Sequence, residues 1–238
     1  MKTKAVLFDL DGTLLPMDQD VFIKTYFGGL VKALAPHGYE PKALIDAILT
    51  GTARMIHNDG KRTNEEVFWE VLESVYGKAV KEDEPYFDAF YNSPDGFDKV
   101  RDVLGYTERA YEIIALVKSL GLRAVLATNP VFPAIATKKR ISWAGLSPED
   151  FELYTTYENS RFCKPNIAYY SEILEKLSLS PEECLMVGND VGDDMVAQQL
   201  GMNVFLLTDC LINKTERFCP DFPSGSFDEL SEFIKSLA

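Results

Sequence analysis

An α/β fold is predicted by this chain of 238 residues: a parallel sheet with helices on both faces, joined to a small α-helical domain. Three observations predict it. A short apolar, β-favouring run over residues 4–10 breaks off in Asp-Leu-Asp-Gly-Thr. Residues 17–94 then place apolar side chains at helical spacing, with no strand-like alternation. From residue 107 onward helical and strand patterns alternate, and alternating βα units build a parallel sheet covered on both sides.

The first strand is apolar throughout and acquires carboxylates only at its C-terminal end, as a buried strand leading to a polar loop does. In the helical stretch, Phe22, Tyr26, Leu30 and Leu34 recur at i+4, and Val67, Val71 and Val75 repeat that spacing. Turn signals at Gly28-Gly29, Pro36-His37-Gly38, Asn58-Asp59-Gly60 and Gly77 divide it into several helices. Thr107 is placed to cap a helix to residue 120, with Gly121 as its stop. Strands are then expected over 123–128, 151–155, 184–188 and 202–207, and helices over 133–143, 166–177 and 193–200. Ser226 and Glu229 have capping-box spacing for a final helix. Around residues 210–223, Pro220, Asp221 and Pro223 suggest an irregular loop.

Composition limits the function. With 24 basic and 37 acidic side chains the formal charge is −13, which opposes nucleic acid or an anionic membrane surface as partner. An anionic small molecule remains compatible, because a metal ion and a few basic groups can invert the local field. Cys163, Cys184, Cys210 and Cys219 form no CxxC pair, and His37 and His57 are too few for an ordinary zinc site. Reduced thiols in a cytoplasmic protein are expected, with a Cys210–Cys219 disulfide open as an alternative. The first apolar run is too short for a signal peptide, and no stretch approaches the roughly 20 apolar residues of a spanning helix. The sequence is neutral on oligomeric state.

In an open α/β sheet ligands sit beyond the C-terminal strand ends, so chemistry is sought at residues 9–13, 128–130 and 188–194. Asp9 and Asp11 share a face of an extended segment and repel unless a cation joins them. Mg²⁺, a hard ion satisfied by one or two carboxylates plus water and phosphate, suits such a pair. An isolated Asp-Gly is an ordinary turn, but Phe-Asp-Leu-Asp-Gly-Thr-Leu closing an apolar strand exceeds what a turn requires. Thr128 and Asn129 end the second strand with groups that suit a phosphate oxygen, although a turn before Pro130 would also explain them. Lys164, ahead of Pro165 and Asn166, is able to neutralise phosphate; alone it would be an ordinary surface lysine. Asn189, Asp190, Asp193 and Asp194 follow the fourth apolar run, and three Asp in that stretch exceed what one helix cap uses.

Together these four stations resemble the haloacid dehalogenase-like superfamily. The resemblance rests on Asp9-Leu10-Asp11-Gly12-Thr13-Leu14, on Thr128, on Lys164 with Pro165, and on Gly188-Asn189-Asp190 with Asp194. Asn189 departs from the family's usual Gly-Asp order and leaves Asp193 as a competitor of Asp194. The resemblance implies a Rossmann-like catalytic core of residues 1–15 and 97–238, with a helical cap domain over 16–96. It implies hydrolysis of a small phosphate monoester from a phosphorylated metabolite. Asp9 would attack phosphorus, Asp11 act as acid and base, and Thr128, Asn129 and Lys164 hold the phosphoryl group. Mg²⁺ would take the Asp9 carboxylate, the Asp11 carbonyl and Asp190, supported by Asp194; the carboxylates of 9, 11 and 190 are expected to gather around it. Arg54, Lys61 and Arg62 lie near a loop of the helical segment and are ordinary surface charges unless an anion meets them.

Other functions compete. A phosphoglucomutase-like phosphotransferase uses the same core but needs sugar-holding residues that are not identifiable. A dehalogenase is disfavoured because its class does not keep the second aspartate, present here as Asp11. A phosphonatase would need a Schiff-base lysine, for which Lys61 is only a formal candidate. A non-enzymatic phospho-acceptor of the receiver type would be about half as long and lack the inserted helices.

Overall fold

The computed structural model describes residues 2–214 and 222–237. Strand β1 (Ala5–Phe8) leads into four helices: α1 (Gln19–Leu34), α2 (Pro41–Ile56), α3 (Asn64–Tyr76) and α4 (Glu84–Asn92). There follow α5 (Arg109–Ser119), β2 (Arg123–Leu126), α6 (Ala134–Trp143), β3 (Leu153–Tyr154), α7 (Ile167–Leu177), β4 (Cys184–Gly188), β5 (Asn203–Leu207), β6 (Ser224–Gly225) and α8 (Phe227–Leu237). The six strands form one sheet in the order β3-β2-β1-β4-β5-β6, and every pairing is parallel. No helix among the described residues is long and apolar enough to cross a membrane.

β1 is central because both of its faces are apolar. Val6 and Phe8 pack into one core with α5, α8 and the four-helix segment, while Ala5 and Leu7 pack into another with α7. This is the two-residue alternation of a strand buried on both sides. β2 and β3 extend the sheet on one side of β1; the chain then crosses to place β4 on the other. The strand order therefore reverses between β1 and β4, leaving a crevice at their C-terminal ends.

In the helical segment the α1 stripe Phe22, Tyr26, Leu30 and Leu34 is buried as its spacing predicts. Asp18 caps α1 by accepting from the Asp20 and Val21 amides at 3.0 and 3.1 Å. Thr63 and Glu66 cap α3 reciprocally. The α3 stripe differs from the valine spacing. Val67, Trp69 and Leu72 are buried, whereas Val75 is 52% exposed. Trp69 and Leu72 bring more apolar area than the valines and set the rotation of the helix. Asn64, fully buried at the start of α3, donates to the carbonyls of Pro130 (3.2 Å) and Phe162 (3.4 Å), fastening the segment to loops beyond β2 and before α7.

Several boundaries shift. The strand expected over 151–155 contracts to Leu153–Tyr154 at the sheet edge, where, among the described residues, only β2 pairs with it. The helix expected over 193–200 is a 3₁₀ turn, Met195–Leu200. α5 begins two residues after Thr107, whose hydroxyl accepts from the Arg109 amide at 3.2 Å. Within the segment expected to be irregular, residues 215–221 lie outside the described residues, as does Cys219, the partner considered for Cys210. Ser224–Gly225, just after it, pairs with β5.

Leu30→Ala in α1 should lower unfolding free energy by about 2–5 kcal/mol, read as a reduced urea midpoint at unchanged slope.

Candidate active site

The crevice at the reversal point collects every residue singled out at the strand ends. Asp9, Asp11, Thr128, Asn129, Lys164, Asn189, Asp190, Asp193 and Asp194 all line one cavity of about 390 Å³. Asp9 follows β1 directly and is held in register by its amide, which donates to the Val187 carbonyl at 2.9 Å.

At the floor, Lys164 joins two of these acids. Its Nζ donates to Asp9 Oδ1 at 2.8 Å and to Asp194 Oδ1 at 2.7 Å, and all three side chains are buried. Asp194 Oδ2 accepts from the Asp190 amide at 2.9 Å, so the lysine also fixes the loop after β4. Asp190 Oδ1 accepts from the amides of Gly192 (2.7 Å) and Asp193 (3.0 Å). Asp194, not Asp193, is the acid that touches Lys164.

Thr13 links the loops after β1 and β4. Its single hydroxyl proton is shared between Asp9 Oδ2 (3.2 Å) and Asn189 Oδ1 (3.0 Å), while Asn189 Nδ2 donates to the Cys210 carbonyl at 2.7 Å. Asn189, a departure from the expected pattern, thus ties three segments together. Two glycines allow this closeness. Gly12 has φ +88°, and a Cβ there would lie 2.3 Å from Asn189 Nδ2; a Cβ at Gly188 would lie 2.1 Å from Asp194 Oδ2.

Thr128 lines the cavity, and its carbonyl accepts from Thr155 Oγ1 (2.6 Å) and Tyr169 Oη (2.9 Å). Asn129 Oδ1 accepts from the Lys164 amide at 3.3 Å, holding the lysine's backbone.

Asp11 is placed differently from its expected gathering with residues 9 and 190. Its carboxylate turns to Arg140 Nη1. Arg140 is 0% exposed, sits 4.5 Å from the centroid of the Phe132 ring, and donates to Thr137 Oγ1 at 3.3 Å. Asp11 Oδ1 is buried with no hydrogen-bond partner among the described residues. Sequence reasoning missed Arg140 because Lys138-Lys139-Arg140 reads as a solvated basic run. A signal existed: Arg140 lies four residues from Ala136 and beside Ile141, both on the buried face of α6.

The electrostatics follow from burial. Burial raises the Asp11 pKa, the Arg140 guanidinium opposes that rise, and Asp9 adds to it. Burial pushes Asp194 up to about 7, against the pull of Lys164 and with the repulsion of Asp9. Burial alone would lower Lys164, but the fields of Asp194 and Asp9 outweigh it and hold the amine protonated. Asp193 is raised by burial and by Asp190. The cavity therefore gathers the carboxylates of 9, 190, 193 and 194, of which Asp9 and Asp194 pair with Lys164 while Asp193 also feels Lys214.

That excess of negative charge, presented entirely through oxygen atoms, suits a hard divalent cation. Among the described residues no three acidic, histidine or cysteine side chains converge as a self-sufficient metal cage. The donor set fits an ion such as Mg²⁺ that keeps water and binds substrate phosphate. Elsewhere, Lys61 pairs with Asp59 (2.8 Å) and Arg62 with Glu70 (2.7 Å) on the surface; neither they nor Arg54 line the cavity.

The family described as haloacid dehalogenase-like hydrolase matches residues 3–201. Pyrophosphatase PpaX of Bacillus thuringiensis (strain Al Hakam) is 25% identical over 242 residues, covering 100% of this chain and 98% of that protein. The HAD phosphatase from Thermococcus onnurineus shares 16% identity and a TM-score of 0.59 over 98% of both chains. The 2-haloacid dehalogenase from Pseudomonas syringae pv. Tomato DC3000 shares 19% identity and a TM-score of 0.63, over 99% of this chain and 100% of that one. At such identities the two structures share the fold.

Arg140→Met removes the cationic partner of a buried carboxylate and should destabilise the protein by about 3 kcal/mol, measured by denaturant unfolding; an unchanged midpoint would show the pair to be dispensable.

Proposed function

The chain belongs to the haloacid dehalogenase-like hydrolase family, and from that premise we propose that it is a magnesium-dependent phosphatase acting on a small phosphate monoester through an aspartyl phosphate on Asp9. The observation that carries this reading is the contact of Lys164 Nζ with Asp9 Oδ1 at 2.8 Å, inside a cavity that Asp11, Thr128 and Asp190 also line. The pyrophosphatase and phosphatase among its relatives agree with phosphate chemistry.

In this mechanism a carboxylate oxygen of Asp9 attacks phosphorus. The new P–O bond to Asp9 forms as the ester P–O bond breaks. The departing alkoxide takes a proton from the Asp11 carboxyl. Water then attacks the aspartyl phosphate and gives a proton to the Asp11 carboxylate, releasing phosphate and restoring Asp9. The raised pKa of Asp11 favours the protonated form needed first. Thr128 and Lys164 hold the phosphoryl oxygens, Lys164 supplying positive charge where negative charge accumulates. Asn129 and Asp194 keep Lys164 in position. Mg²⁺, held by the Asp9 carboxylate, the Asp11 carbonyl and Asp190, would neutralise phosphate charge and help align it with Asp9.

We assign residues 1–15 and 97–238 to the catalytic core and 16–96 to a cap domain. The assignment is supported by the position of α1–α4 between β1 and β2, and by their share in the cavity lining. The substrate is taken to be a free phosphorylated metabolite in the cytoplasm, in keeping with the net charge of −13 and with the buried free thiols Cys163 and Cys184.

Purified protein should release phosphate from p-nitrophenyl phosphate with Mg²⁺ and stop on EDTA addition. Asp9→Asn should lower kcat by about a thousandfold or more, and Asp11→Asn by about a hundredfold or more, with unfolding curves showing both variants folded. Wild-type rates in Asp9→Asn would end the mechanism. The acid form of Asp11 is lost as pH rises through its raised pKa, so kcat/KM should fall on the alkaline side. Arg140→Met removes a field that lowers this pKa and should move that limb to higher pH.

A further inference from the structure

The cavity differs sharply between floor and walls. Its floor carries the carboxylates and Lys164 described above. Its walls, supplied largely by α1, α2, α3 and the loop after β2, include Phe22, Ile23, Phe27, Leu49, Phe68 and Phe132. Among the described residues Lys164 is the cationic side chain on the lining, and both Asp9 and Asp194 already engage it.

Several polar groups on the walls are already engaged, while Gln19 and Tyr157 add polar atoms to an otherwise apolar lining. The hydroxyls of Tyr26 and Tyr91 bond mutually at 2.9 Å, and Thr52 Oγ1 donates to the Ile48 carbonyl at 2.9 Å. Ile23 and Leu49 are 47% and 50% exposed, yet both face this cavity. The stripe Phe22, Tyr26, Leu30 and Leu34 already fixes α1 in the core; Ile23 lies outside that packing and widens the apolar face. Apolar side chains left half in water around a concave mouth mark a binding surface.

Resting on the phosphatase reading, we infer that the substrate's leaving group is an uncharged apolar alcohol, aromatic or branched aliphatic, instead of a second phosphate, a carboxylate or a sugar. One phosphoryl group would meet the floor, where Lys164, together with Mg²⁺ when bound, would balance it. A second anionic group would enter an apolar volume whose lining, among the described residues, holds no further cationic side chain, which opposes its desolvation. A sugar carries several hydroxyls, more than the few polar groups of these mainly apolar walls could hydrogen-bond once water is lost. An aromatic or branched aliphatic group instead buries apolar area against Phe22, Phe68 and Phe132. The selectivity differs from that in the name of the relative PpaX, a pyrophosphatase.

The test compares kcat/KM of the full chain with Mg²⁺ on 1-naphthyl phosphate, pyrophosphate, phosphoglycolate and glucose 6-phosphate. 1-Naphthyl phosphate should lead each of the others by at least about tenfold. Leu49→Arg changes an exposed rim position, so folding should persist. It should raise KM for 1-naphthyl phosphate and narrow its lead over phosphoglycolate by about tenfold or more, as expected from a desolvated charge near an anion. Faster release from pyrophosphate, phosphoglycolate or glucose 6-phosphate overturns the substrate assignment and leaves the phosphatase reading standing. Unchanged selectivity in Leu49→Arg also overturns the assignment. No phosphate release from any of the four overturns the phosphatase reading, and the assignment falls with it.

Discussion

The buried bridge from Lys164 to Asp9 and Asp194 is the constraint on which the site depends. Three charged side chains are taken out of water there, which is favourable only when each charge finds partners. Lys164 meets both carboxylates, Asp194 takes the Asp190 amide on its second oxygen, and Asp9 takes the Thr13 hydroxyl on its own. The carboxylates belong to segments after β1 and β4, the lysine to the segment before α7. Satisfying one amine therefore fixes three stretches of chain that are distant in sequence.

Close approach makes the bridge possible and leaves no room for error. The loop after β1 turns at Gly12 and presses on Asn189, and Gly188 lets Asp194 lie against the end of β4. Both contacts sit at the reversal between β1 and β4, where neighbouring strands send their connections to opposite sides. Arg140 gives Asp11 an analogous hold from α6. Two buried cations thus stand behind the carboxylates without opening the cavity to solvent.

Above that floor the cavity is apolar. The contrast has a physical sense, because ion pairs act more strongly in surroundings of lower polarity, and the aromatic contacts of Tyr26 with Phe90, Phe97 and Phe132 anchor the helical segment that supplies the walls. A single apolar cluster runs from Phe8 in β1 through Phe22 and Leu30 in α1 to Phe97. The walls supplied by Phe22, Phe27, Phe68 and Phe132 are therefore continuous with the core.

Much of this was legible in the residues. The uninterrupted apolar run before Asp9 could be stable only as a strand covered on both faces, and the i+4 stripe of α1 only as a helix buried on one side. The acids and the lysine at strand ends were visible as types of residue in suspicious company. Val75 and Arg140 were not legible, because helical spacing admits neighbouring faces and only competition for burial selects one. The residues by themselves determined most of the strands and helices and which positions carry charge, since local periodicity and chain polarity decide those. Tertiary structure alone decided that Lys164 reaches both Asp9 and Asp194, that Asp11 turns to Arg140, and that a neutral apolar wall faces them. Those outcomes depend on distances between segments 30 to 155 residues apart, which packing sets and no local pattern encodes.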